Sequence, residues 1–169
     1  MADRVDHGRP VVVAVDEQSD INVDLERWSR LAADSLVASG VTDGELNLLF
    51  VDETAMTELN REHMSEDRPT DVLSFPLDGA DDDPLVDGMI GDRLIGDVVV
   101  CPVYAARQAG DHAGERGHDG SVEDELALLI VHGVLHILGH DHAEPGETAA
   151  MRSAEGVLLD AHHRPAARR

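Results

Sequence analysis

Apolar residues along the chain follow two rhythms. Residues 10–15, Pro-Val-Val-Val-Ala-Val, form a short unbroken apolar run that predicts a buried strand. Val23, Leu25, Trp28, Leu31, Leu36 and Val37 then recur at roughly helical spacing, and Gly40 should stop that helix. Glu45-Leu-Asn-Leu-Leu-Phe-Val51 predicts a second strand, and Asp52 can cap a short helix bearing Met56, Leu59 and His63. Asp71-Val-Leu-Ser-Phe75, stopped by Pro76, and Ile95-Gly-Asp-Val-Val-Val100 predict strands three and four. Between them, residues 77–89 hold five Asp, two Gly and Pro84, so turn formers and mutual repulsion predict a solvated loop. That stretch lacks the order of ligands and the closing Glu of an EF-hand.

A helix from Pro102 should fade into the Gly- and His-bearing segment 110–120. Ser121-Val-Glu-Asp124 resembles a capping box opening a helix that runs to Leu138, and a last helix is expected between Pro145 and Arg164. Residues 164–169 read as a frayed tail. Mixed strands and helices, with helices gathering at the C-terminal end, predict a single α+β domain over 1–169.

Composition narrows the chemistry. With 169 residues and 42% hydrophobic content, the chain can bury one sizeable core. The single cysteine, Cys101, excludes an intramolecular disulfide and a Cys-rich zinc cluster, and favours a reducing, cytosolic setting; before Pro102 at the end of an apolar strand it reads as a buried, inert thiol. No apolar run approaches the ~20 residues needed to span a bilayer, so no membrane role is expected. Thirty-five acidic residues stand against 13 basic ones, a formal net charge of -22. That favours solubility and disfavours nonspecific nucleic-acid binding, so any RNA role needs a local cation working against the overall field.

The segment His132-Gly-Val-Leu-His-Ile-Leu-Gly-His-Asp-His142 carries the strongest chemical signal. His132 and His136, four apart on a helix, place two imidazoles on one face. Gly139, just past the helix, can turn the chain so that His142 returns as a third ligand. With 10 His in 169 residues, chance would produce this spacing roughly 0.04 times. Neutral imidazole suits zinc, with nickel, copper and iron also chemically possible. Three protein ligands leave a fourth position for water, the arrangement of a catalytic ion. The spacing equals that of the metzincin peptidases, but Gly133 stands where their general-base Glu belongs, which argues against peptide hydrolysis.

His132-Gly-x-Leu-His-x-x-Gly-x-Asp-His142 resembles the signature of the YbeY family of zinc-dependent endoribonucleases. Leu59-Asn60 followed by Pro69-Thr-Asp-Val-Leu-Ser-Phe-Pro76, and Ile95-Gly-Asp-Val-Val-Val-Cys-Pro102, are similar to that family's upstream blocks, so the likeness spans roughly 45–160. The resemblance implies a small monomeric cytoplasmic protein, a mixed four-stranded sheet, and helices around one zinc held by His132, His136 and His142. It also implies single-strand-specific cleavage in rRNA maturation, especially at the 3′ end of the small-subunit rRNA, and ribosome quality control, with rRNA and the small ribosomal subunit as partners.

The chain departs from the family pattern at two places. His140 replaces a common Tyr, and Met64 replaces an Arg associated with phosphate. Arg68, four residues on and just before Pro69-Thr70, is the expected substitute, since its planar guanidinium can grip two phosphate oxygens. Asp71 can orient a ligand or bond nearby backbone, and Asp141 can hold the turn or support His142. The general acid and base are not assigned. A non-catalytic, zinc-stabilised ribosome-assembly factor is the rival reading, favoured by the acidic charge and the missing Arg.

Overall fold

Trp28, Leu36, Leu46, Leu48, Phe50, Ile130 and Met151 come from four different segments of the chain and meet in one buried cluster. The computed structural model that places them describes residues 9–77, 94–140 and 144–164. Its strands are β1 (Val11–Asp16), β2 (Glu45–Phe50), β3 (Val72–Pro76) and β4 (Leu94–Val100). They form a mixed sheet in the order β1-β2-β4-β3, with β1–β2 and β2–β4 parallel and β3–β4 antiparallel. The helices are α1 (Leu25–Ala38), α2 (Glu53–Met64), α3 (Pro102–Gln108), α4 (Val122–Ile137) and α5 (Pro145–His162), with a 3-10 turn at Ala109–His112. This is the expected α+β domain with its four-stranded mixed sheet.

The strand read as buried is a correction. β1 lies at the edge of the sheet, and Val11, Val13 and Val15 on its outer face are 56%, 39% and 40% exposed. Only Val12 and Ala14 pack on the core. An unbroken apolar run cannot say which face is covered, because that depends on which helices dock there.

Caps set the ends of the helices that matter here. Asp24 and Asp52 accept backbone N–H bonds at the starts of α1 and α2, and Ser121 Oγ accepts from Asp124 N at 3.1 Å at the start of α4. α4 ends in a Schellman motif: Gly139 takes φ +97°, its N–H donates to His136 O, and the N–H of His140 donates to Leu135 O.

α4 is the central element, packed against α1, α3, α5, β3 and β4. Its contact with the sheet is close at Gly133, where a Cβ would lie 2.6 Å from Val98 Cγ1. A smaller cluster of Val51, Met56, Leu73, Val99 and Cys101, with partly buried Leu59, Phe75 and Tyr104, lies under α2. Burial pushes the Cys101 thiol up from its ordinary pKa, in keeping with an inert role. No helix among the described residues is long and apolar enough to cross a membrane. The loop expected over 77–89 lies almost wholly outside the described residues, as do 165–169 of the expected tail. Arg164, the tail's first residue, is held: its N–H donates to Leu159 O and its guanidinium lies 3.5 Å from Asp124.

Candidate functional site

The regular turn of α4 sets His132 and His136 side by side, with ring centres 6.1 Å apart and planes inclined by 54°. With zinc–nitrogen bonds of about 2 Å, rings at this separation are within reach of one ion. Asp141 and His142 lie outside the described residues, two and three positions beyond the left-handed Gly139 that turns the chain.

His132 is oriented from α5. Its Nδ1 donates to Glu155 Oε1 at 2.8 Å, so Nε2 is the ring nitrogen left with the lone pair a metal needs. Burial alone would raise the Glu155 carboxyl. The hydrogen bond and charge of His132, followed by those of Arg116, outweigh burial and hold the group below its ordinary value, as an anion. Arg116 donates from Nη2 to Glu155 Oε2 at 3.2 Å and from Nη1 to Arg152 O at 3.0 Å. A buried carboxylate bridging a histidine Nδ1–H and a guanidinium is the support expected behind a metal-binding imidazole, so the residues present fit a zinc ion.

Both His132 and Glu155 face an open cleft of about 510 Å³, which Asp71, His112, Arg116 and Glu125 also line. Glu125, on α4, is fully buried and accepts from Gln108 Nε2 at 3.0 Å, His112 Nδ1 at 2.7 Å and His118 Nε2 at 3.0 Å. The donor atoms of His112, His118 and Glu125 lie within 4.8 Å of one another, close enough to hold a metal ion. Hydrogen bonding already accounts for their approach. Gly120 N–H donates to His118 Nδ1 at 2.9 Å, so the proton of that ring sits on Nε2 and points at Glu125. An ion at His118 Nε2 would have to displace that proton. The bond to Glu125 raises the His112 pKa, with nearby Glu115 and Asp111 adding to the effect and burial opposing it.

Asp71 is both structural and part of the cleft wall. Its Oδ1 accepts from Val72 N and its Oδ2 from Gln108 Nε2, both at 2.8 Å. Arg68 is placed elsewhere: its exposed guanidinium pairs with Glu66 at 2.8 Å, and it is not among the residues lining the cleft. Met64 is half exposed at the last turn of α2.

Sequence reasoning missed Glu155, Arg116, His112, His118 and Glu125. One signal was present: Glu125, His132 and His136 stand at i, i+7 and i+11, a single stripe of one helix. Glu155 had no such signal, because it reaches the site from a different helix.

Residues 14–163 match the model of the family described as Endoribonuclease YbeY. The proteins named Endoribonuclease YbeY from Thermobifida fusca and Beutenbergia cavernae are each 44% identical to this chain. The alignments cover 87% and 86% of it, and 91% and 93% of the respective relatives. That from Mycolicibacterium vanbaalenii is 39% identical over 89% of the chain and 79% of its own length. The solution structure of TM1509 from Thermotoga maritima has the same fold, with a TM-score of 0.55 at 22% identity, covering 94% of this chain and 95% of that one. A family model matching nearly the whole fold, including the helix that carries His132 and His136, establishes that the chain belongs to the YbeY family of endoribonucleases.

Proposed function

We propose that this protein is a single-strand-specific endoribonuclease that matures rRNA, particularly the 3′ end of the small-subunit rRNA, and takes part in ribosome quality control in the cytoplasm. In this reading it acts as a monomer and holds one zinc ion through His132, His136 and His142. The observation that carries the reading is the pairing of His136 with His132, which lines an open cleft and has Glu155 bonded behind it. Bound there, zinc would supply Lewis-acid stabilisation of a phosphodiester and a water of lowered pKa. The chain's own residues do the rest. Glu155 fixes the His132 ring and its tautomer, and the Gly139 turn leads the chain on toward His142. Gly133, packed on Val98, leaves no room for a peptidase-type glutamate on this face of α4.

Arg68, the sequence-derived candidate for a phosphate contact, stays within this proposal as a contact outside the cleft. Its trial is Arg68→Ala, with RNA affinity measured at two salt concentrations.

Purified protein should contain about one zinc per chain. His136→Ala should lose it, while His118→Ala should keep it. Single-stranded RNA should be cut in a chelator-sensitive manner, with casein left intact. Elemental analysis and parallel RNA and casein assays check these outcomes. Metal retained in His136→Ala but lost in His118→Ala would move the ion to the Glu125 cluster. RNA binding with no cleavage at any metal loading would favour the assembly-factor reading, which the net charge of -22 and the absence of an Arg at position 64 support.

A further inference from the structure

Four carboxylates line the described part of the cleft, from Asp71, Glu115, Glu125 and Glu155, in a chain that is already strongly acidic. A polyanion enters such a cleft only if cations inside it offset that field. Two arginines do line it, Arg116 from the loop before α4 and Arg152 from α5.

Arg116 is held in a defined place. Glu155 and the carbonyl of Arg152 accept one bond each from its two terminal nitrogens, and a guanidinium has five N–H donors in all. Its side chain is 45% exposed, so it is anchored at one edge and reaches solvent at the other. Its backbone sits at φ +44°, a region that disfavours any residue with a Cβ. Gly114, Gly117 and Gly120 meet the same demand in this loop with no side chain. The strain at Arg116 has a rationale if its side chain does work in the cleft. Through Glu155 the guanidinium also stands one carboxylate away from His132. Arg152 is exposed on α5, one helical turn before Glu155, and bonds back to Arg116 through its carbonyl.

Resting on the ribonuclease reading above, we propose that Arg116 and Arg152 form a phosphate subsite that grips the phosphodiester backbone of single-stranded RNA beside the His132 site. The planar fork of Arg116, fixed by Glu155, presents its remaining N–H groups to two phosphate oxygens. Arg152 extends the cationic stripe along the strand, so the backbone is aligned across the cleft regardless of base.

The experiment uses metal-replete full-length protein and a short fluorescein-labelled single-stranded RNA, with affinity read by anisotropy at several salt concentrations. The variants are Arg116→Gly, which suits the left-handed backbone, and Arg152→Gln on the exposed face of α5. Each should weaken binding about ten-fold, the scale of one hydrogen-bonded charged contact. Each should also flatten the slope of log affinity against log salt by about 0.7, with each variant still holding about one zinc per chain when metal-replete. Wild-type affinity and slope in both variants would overturn the proposal, as would a loss confined to Arg68→Ala. Loss of zinc in Arg116→Gly with Arg152→Gln unaffected would also overturn it, because Arg116 would then be acting through Glu155 on the metal. If the wild-type protein neither binds nor cuts RNA, the ribonuclease reading fails and this subsite falls with it. Wild-type binding with unaltered variants removes the subsite alone.

Discussion

Glu155 carries two interactions at once, orienting His132 and anchoring Arg116, and they keep it ionised although it is almost fully buried. A carboxylate in this position raises the basicity of the ring and fixes which nitrogen faces the metal. Glu155→Gln keeps the size of the side chain but removes the charge, and can present an N–H where His132 needs an acceptor. Zinc affinity should therefore fall about 10–100-fold, as measured by competition with a chromogenic chelator. Circular dichroism should show the helices intact. Unchanged zinc affinity would mean that His132 needs no such support and that Glu155 serves α5 packing alone.

At the scale of the element, α4 is shaped for close approach to the sheet. Gly133 is a weak helix former in mid-helix, yet a Cβ there would meet Val98 Cγ1 at 2.6 Å and Ser74 Oγ at 3.3 Å. Val98 is fully buried and β-branched, so it has little freedom to give way. Gly133→Ala gains about 1 kcal/mol of helix propensity but overpacks the interface at a cost of about 1–3 kcal/mol. The expected outcome is a net loss of about 1 kcal/mol, read as a lower urea midpoint with an unchanged m-value. A stabilised Gly133→Ala protein would show that α4 stands further from β4 than described. Gly133→Glu should be worse still and should confer no proteolysis.

Across the whole molecule, Asp124 ties the chain's C-terminal end to the start of α4. It accepts from Asp119 N at 2.8 Å and His163 Nε2 at 2.7 Å, and lies 3.5 Å from the Arg164 guanidinium. Burial opposes its ionisation, but the Asp119 N–H, His163 and Arg164 outweigh that and hold its carboxyl at about 2. An unfolded Asp titrates near 3.9, so between these values the unfolded chain binds more protons. The contribution, about 2 kcal/mol, is full above about pH 4 and is lost as the pH falls through about 2. His163 acts in the same direction: burial, opposed by its bond to Asp124, keeps its pKa below the ordinary value, so stability begins to fall as the pH drops below about 6.5. Asp124→Asn should lower stability at neutral pH and flatten the acid limb between about pH 4 and 2, measured by urea unfolding across that range. An acid limb as steep as that of the wild type would place the proton-linked loss elsewhere among the 35 acidic residues.

Local signals in the chain were enough to place the strands and helices to within a residue or two, because caps and breakers such as Asp24, Asp52, Ser121 and Gly139 act over a few neighbouring bonds. They also brought out the His132–His136 pair, since both histidines ride one helix and four residues make about one turn. Tertiary structure alone decided that β1 is a half-exposed edge, that Glu155 backs His132 from 23 positions away, and that Arg116 and Arg152, not Arg68, line the cleft. These follow from how α4 and α5 dock on each other and on the sheet, and sequence spacing carries no record of contacts between elements that meet only after folding.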